Sequence, residues 1–175
     1  EYALDFDGSD DYIVLPANTF PETEGTISAW FKTAASNQII LFTGPSAEDG
    51  CGSGVTNPEI DICMNSDGLI KGTVENASSY KDLQSSSSYN DNNWHMTSLS
   101  WNSSTISLYI DGIVIDSSAL SFIPDPVQEV TRVGKPGSSA RYFNGLIDDV
   151  RIYNYARTAD EIKVDYNNGM AAHLR

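Results

Sequence analysis

Short runs in which apolar and polar residues alternate, broken every few positions by Gly, Pro, Asn, Asp or Ser, extend along almost the whole chain. A period of two marks strands with one buried face, and turn formers at regular intervals predict an all-β sandwich and not βαβ units. The pattern places strands at residues 2–6, 11–15, 25–33, 38–43, 59–64, 69–75, 80–84, 93–101, 105–110, 113–116, 128–134 and 143–153. Asp111-Gly112, set between Ile106–Ile110 and Ile113–Ile115, is a two-residue hairpin signal because both residues tolerate positive φ. Asn65–Gly68 reads as a second, looser hairpin turn. Near the end, Thr158-Ala159-Asp160-Glu161 has the capping-box form, Ile162 and Tyr166 lie one turn apart, and Gly169 is placed to stop a helix. One short C-terminal helix is therefore expected beside two antiparallel sheets.

Two segments put carboxylates where strands should bury hydrocarbon. Strict alternation through Asn144–Tyr153 sets Leu146, Asp148, Val150 and Ile152 on one side, and Ile147, Asp149, Arg151 and Tyr153 on the other. An ionised Asp148 in an apolar row must meet a cation, a metal or several donors, since a bare buried carboxylate costs several kcal/mol. The acidic turn Asp5–Asp11 is the natural place for a shared ion, with Asp7, Asp10 and Asp11 joining Asp148. The spacing is not that of an EF-hand, because counting from Asp5 puts Asp10 where the Gly should stand.

A chain of 175 residues, 40% hydrophobic and 10% aromatic, is enough for one domain over residues 1–175 with a sizeable core. The net charge of −14 argues against nucleic acid or anionic membrane as partner. No apolar run is long enough to span a bilayer and no signal peptide is visible, which reads as a mature domain or one cut from a larger protein. Cys51 and Cys63 flank a Gly-rich stretch, and a bridge between them would contribute roughly 3 kcal/mol and indicate an oxidising compartment. Two cysteines cannot by themselves hold zinc.

Ala3–Ile13, Thr26–Lys32, Trp94–Gly112 and Phe143–Asn154 together resemble the laminin G-like, concanavalin A-like jelly-roll domains of extracellular proteins. The resemblance implies two curved antiparallel sheets with neighbouring chain ends, which would set the first acidic turn beside Asp148. It also implies a structural calcium ion there and a role as a carbohydrate-binding or adhesion module attached to secreted or surface proteins. The Gly44–Pro58 insertion and Trp101-Asn102, where an aromatic followed by Asp-Gly is more usual, depart from the common pattern and leave the ligand open.

Glu59-Ile60-Asp61-Ile62 resembles the start of the catalytic strand of laminarinase-like glycoside hydrolases. Retaining hydrolysis needs two carboxyl groups about 5 Å apart. The residues that follow are Cys63, Met64 and Asn65, so the acid/base position is empty, and Glu59 and Asp61 read as the polar face of a strand whose apolar face is Ile60, Ile62 and Met64. His95, between Trp94 and Met96, lacks a nucleophile elbow and reads as a core or strand-end histidine.

Sugar sites combine an aromatic face with groups that satisfy hydroxyls. Tyr80 and Tyr89 bracket a serine run, Arg141 and Tyr142 follow the Gly137–Ser139 loop, and Glu48 and Asp49 lie in the Gly44–Pro58 insertion. These six are the candidate ligand residues, while Trp30, Trp94 and Trp101 belong mainly to the core. The expectation is a secreted, non-catalytic, calcium-stabilised module that binds polysaccharide or glycan and is covalently linked to neighbouring domains. The alternatives are an adhesion or spacer domain, or a glycoside hydrolase or lyase of the same fold.

Overall fold

The computed structural model describes residues 3–47, 49–51 and 58–173. Its elements are β1 (Leu4–Asp7), β2 (Ile13–Val14), β3 (Gly25–Lys32), β4 (Gln38–Gly44), β5 (Ile60–Met64), β6 (Leu69–Asn76), β7 (Ser79–Ser88), β8 (Trp94–Trp101), β9 (Thr105–Ile110), β10 (Ile113–Ala119), β11 (Val130–Val133), β12 (Asn144–Tyr153) and α1 (Ala159–His173). Each expected strand is present within a few residues of its expected bounds. Two six-stranded sheets form, one ordered β1-β12-β3-β8-β9-β10 and the other β2-β11-β4-β5-β6-β7. All pairings are antiparallel, as a jelly-roll sandwich requires.

Inward-facing residues of both sheets, among them Ile27, Phe31, Leu99 and Ile147 from one and Leu41, Ile60, Ile62 and Val74 from the other, make a single buried cluster. Both sheets are also covered outside. On the first, Trp30, Met96 and Tyr109 pack under Ile162 and Tyr166 of α1, which makes this the helix-side sheet. On the second, Ile39, Phe42 and Cys63 pack against Cys51 and Val130, and Cys51 is bridged to Cys63 with a Cα–Cα distance of 5.5 Å.

Local signals act where the sequence places them. Asp111 and Gly112 have φ of 53° and 75°, as the tight β9–β10 turn demands. Thr158 and Glu161 form the reciprocal cap: Glu161 Oε2 accepts from the Thr158 N–H at 2.9 Å, and the Glu161 N–H donates to Thr158 Oγ1 at 3.3 Å. Gly169, however, does not end the helix. It lies inside α1 because that turn runs against an indole: a Cβ there would stand 2.5 Å from Trp30 Nε1.

The second departure concerns Asp148. Ile147 pairs with Phe31 and Asp148 with Trp30, but Arg151 pairs with Ser28, so β12 spends three residue steps where β3 spends two. Asp149, with φ of 47°, sits in this bulge. The extra residue flips the alternation, and Val150 and Ile152 return to the inner cluster on the side opposite Asp148. Asp148 instead faces the helix side, where Oδ2 meets His173 Nε2 at 3.0 Å and Oδ1 accepts from the Asp149 N–H at 2.8 Å. The donors that its half-buried position required come from the protein.

Candidate functional site

Three segments meet at one edge of the sandwich: the β1–β2 turn, the β11–β12 loop and the Asp49–Cys51 stretch. In the first, the chain leaves β1 through Gly8 at φ 78°. Asp7 Oδ1 accepts from the N–H of Ser9 at 2.7 Å, and Asp11 Oδ2 accepts from the N–H of Asp7 at 3.0 Å. The turn folds back on itself and gathers Asp7, Asp10 and Asp11, whose ligand oxygens all lie within 4.8 Å of one another. All three are exposed. Asn144, the register partner of Asp7, donates Nδ2 to the Asp7 carbonyl at 3.2 Å.

Asp148 does not join this group. It lies four residues along β12 from Asn144, about 13 Å at strand rise. The structure therefore brings together three of the four carboxylates expected to share an ion and places the fourth beside α1.

Around the β11–β12 loop, two tyrosines and two cations stand against each other, Tyr142 and Lys135 from the loop, Tyr12 from the β1–β2 turn and Arg132 from β11. Tyr12 and Tyr142 have ring centroids 6.4 Å apart. Lys135 Nζ lies 5.0 Å from both centroids, and the Arg132 guanidinium lies 5.2 Å from that of Tyr12. Arg132 projects from β11 and donates Nη1 to the carbonyls of Pro136 at 2.7 Å and Gly137 at 2.9 Å, which pins the loop. Tyr12 is 42% exposed.

Arg141 ties the third segment to the same loop. Its Nη2 donates to the carbonyls of Asp49 and Gly50, and the Ser138 hydroxyl donates to Asp49 Oδ1 at 2.8 Å. Asp49, Arg141 and Tyr142 thus fall in one neighbourhood, whereas Glu48 lies outside the described residues. Tyr80 and Tyr89 belong elsewhere. Tyr80 is exposed near the start of β7, while Tyr89, beyond its other end, is partly buried against the core and packs edge-on to His95 at 4.9 Å. The extended ten-residue strand between them holds them about 30 Å apart, so they cannot serve one small ligand together.

Asp61 lies on the outer face of β5 and Glu59 directly precedes that strand, with Ile60, Ile62 and Met64 in the core, as the alternation implies. Both are fully buried. Burial pushes the Asp61 carboxyl up to about 6 against the opposing pull of Glu59, the Cys51 N–H and Lys71. Asp61 Oδ2 accepts the Cys51 N–H at 2.6 Å, and Lys71 Nζ donates to the Cys51 carbonyl at 3.0 Å while pairing with Asp82 at 2.7 Å. These groups hold the bridged cysteine in place. His95 is held between Asp111, at 2.8 Å from Nδ1, and Asp91, at 3.2 Å from Nε2. Burial depresses its pKa, but the two carboxylates outweigh that and raise it.

Tyr12, Arg132 and Lys135 were not among the residues singled out from sequence. The trace available was the crowding of three of the ten Lys and Arg residues into residues 132–141. No helix among the described residues is long and apolar enough to cross a membrane.

A comparison with curated protein sequences gives no match. Among solved structures, the chain is similar to domain 4 of AbnA, a GH43 extracellular arabinanase from Geobacillus stearothermophilus solved with arabinotriose. The identity is 18% and the TM-score 0.74, covering 94% of this chain and 75% of that one. It is similar to the CBM40 of the Ruminococcus gnavus IT-sialidase, at 15% identity and TM-score 0.69, covering 90% and 97%. It is also similar to the ligand-binding domain of botulinum neurotoxin serotype D solved with N-acetylneuraminic acid, at 17% identity and TM-score 0.64, where it covers 91% of this chain and 40% of that one. With the two-sheet architecture in hand and a family model matching residues 7–163, the chain belongs to the laminin G-like family of the concanavalin A-like lectin/glucanases superfamily.

Proposed function

We propose that this domain is a non-catalytic, calcium-stabilised carbohydrate-binding module of an extracellular protein, and that glycan binds over Tyr12 and Tyr142. The observation that carries the reading is the ring pair itself, part-exposed and in contact with two cations beside a turn rich in carboxylates. Tyrosine rings cover the apolar face of a pyranose, while nearby charged groups satisfy its hydroxyls. Binding of arabinotriose and N-acetylneuraminic acid by domains of this architecture supports the reading.

Asp7, Asp10 and Asp11 fit calcium. The ion takes six to eight oxygens at 2.3–2.6 Å, so its ligands stand up to about 5 Å apart across the sphere, and these carboxylates already meet that spacing. Bound there, calcium would neutralise the turn and fix its path into Tyr12. Hydrolysis needs two carboxyl groups that a substrate can reach, and Glu59 and Asp61 have no exposed surface. The Cys51–Cys63 bridge accords with an oxidising compartment. The botulinum relatives, in which the matched region is about two-fifths of the chain, accord with covalently linked neighbouring domains.

Affinity gel electrophoresis against a panel of polysaccharides, with release of reducing ends followed in parallel, tests this function. Retardation by at least one polysaccharide, lost in Tyr142→Ala and without sugar release, is the expected result. Normal mobility of the folded domain on every polysaccharide, with no binding on a glycan array, would refute it in favour of an adhesion or spacer role.

A further inference from the structure

Resting on the carbohydrate reading, we infer that the Tyr12–Tyr142 site takes a sugar residue bearing one negative group, a carboxylate or a sulfate, and that Lys135 is its principal contact. The chain has 24 acidic residues against 10 Lys and Arg, so its overall field repels anions and a site for one needs several cations gathered together. Elsewhere in the fold Lys71 pairs with Asp82, Arg151 with Asp149 and Asp165, and Arg157 with Asp165, whereas Lys32, Lys81 and Lys163, in no ion pair among the described residues, lie on three different elements.

Residues 132–141 gather three cations, Arg132 on β11 with Lys135 and Arg141 in the loop that follows. Arg132 donates to backbone carbonyls, and Arg141 to backbone carbonyls and the Asn37 side-chain oxygen, neutral acceptors that orient a guanidinium without cancelling its charge. Lys135 faces two tyrosine rings and has no hydrogen-bond acceptor among the described residues. Ring faces attract an ammonium through their quadrupole and leave its N–H groups unfilled. None of the three is in ion-pair contact with a carboxylate among the described residues. In a protein of net charge −14, these are clustered cations whose remaining donors suit an anion.

The surroundings limit the ligand to an isolated charge. Asp10 and Asp11 directly precede Tyr12, and Asp49 is hydrogen-bonded to Ser138 of the same loop. At physiological salt, interactions persist over about 8 Å, so successive charges of a polyanion would meet these carboxylates. A terminal or single acidic sugar avoids them.

The test is surface plasmon resonance of the wild-type domain against lactose, sialylated lactose and sulfated lactose, with neutral arabinan and galactan oligosaccharides alongside. A carboxylate ligand predicts that the sialylated probe binds best, and a sulfate ligand that the sulfated one does. Either preference should weaken as salt rises. Lys135→Ala should reduce it by about ten- to a hundredfold, the range for one charge-assisted hydrogen bond, while Lys135→Arg retains most of it. Binding confined to neutral oligosaccharides, or acidic-sugar binding indifferent to Lys135→Glu in a variant with a normal unfolding midpoint, overturns the inference and leaves the carbohydrate reading standing. Absence of binding to every sugar, acidic or neutral, overturns both.

Discussion

Gly169→Ala sets two opposing effects against each other, and their sizes decide the outcome. Replacing a mid-helix glycine by alanine ordinarily stabilises by about 1 kcal/mol. Here the new methyl would stand 2.5 Å from Trp30 Nε1 and 2.8 Å from Cε2 and Cζ2, roughly 1 Å inside normal contact. The indole cannot slide aside. Tyr166 stacks at 5.4 Å between centroids, His173 at 4.3 Å, and Trp30 is fully buried. The helix must therefore lift from the sheet, an overpacking cost at the upper end of about 1–3 kcal/mol. The net expectation is destabilisation by about 1–2 kcal/mol, or a fall in midpoint of about 2–8 °C for a chain of this size. Thermal unfolding followed by tryptophan fluorescence measures it, with the exposed Asn168→Ala as the control that should gain a few tenths of a kcal/mol from propensity alone. If Gly169→Ala raises the midpoint as the control does, the close approach of α1 to Trp30 is wrong.

Added calcium at about a hundredfold over its dissociation constant should stabilise by about 2.7 kcal/mol and raise the midpoint by about 5–10 °C. Asp10→Asn should remove that response and Asp148→Asn should not; the reverse pattern in differential scanning fluorimetry would contradict the geometry of the turn. His95 titrates above its ordinary value when folded, so its stabilising contribution is present below about pH 6.5 and is lost as pH rises through the folded value. Urea midpoints of wild type and His95→Gln should accordingly converge on going from pH 5.5 to 8.5, and a constant gap would exclude the assignment. Asp61, raised to about 6 by burial, ionises at a cost as pH climbs from about 4 through 6. Asp61→Asn keeps an acceptor for the Cys51 N–H, and its stability should fall less than that of wild type over that interval.

Most strands were legible because their signals are local. Alternation, the Asp111-Gly112 turn and the Thr158–Glu161 box depend on neighbours within a few positions. The bulge at Asp149 was hidden because one surplus residue in β12 leaves no compositional mark, yet it moves Asp148 to the far side of the sheet from Val150 and Ile152. Gly169 misled for a related reason. Glycine ends helices when the chain turns, but here it serves an approach to Trp30, which lies more than a hundred residues away in sequence. The candidate ligand residues divided along the same line. Arg141 and Tyr142 sit together by adjacency, whereas Tyr12 and Lys135 meet only through the β2–β11 pairing of Val14 with Arg132 and Ile13 with Val133.

Leu4 at the outer end of β1 is paired with Ile147, and His173 at the end of the described helix bonds to Asp148, the next residue of the same strand. The two ends of the fold are thus moored to adjacent positions on β12. Tension drawn between them would not stretch the sandwich along its strands. It would peel β1 from its edge one bond at a time and lift the last turn of α1 from Trp30, leaving the other strands unloaded. Under traction the module yields first at its moorings, while the tyrosine-lined loops at the inner end of β1 keep their arrangement until the fourth register pair, Asp7 with Asn144, gives way.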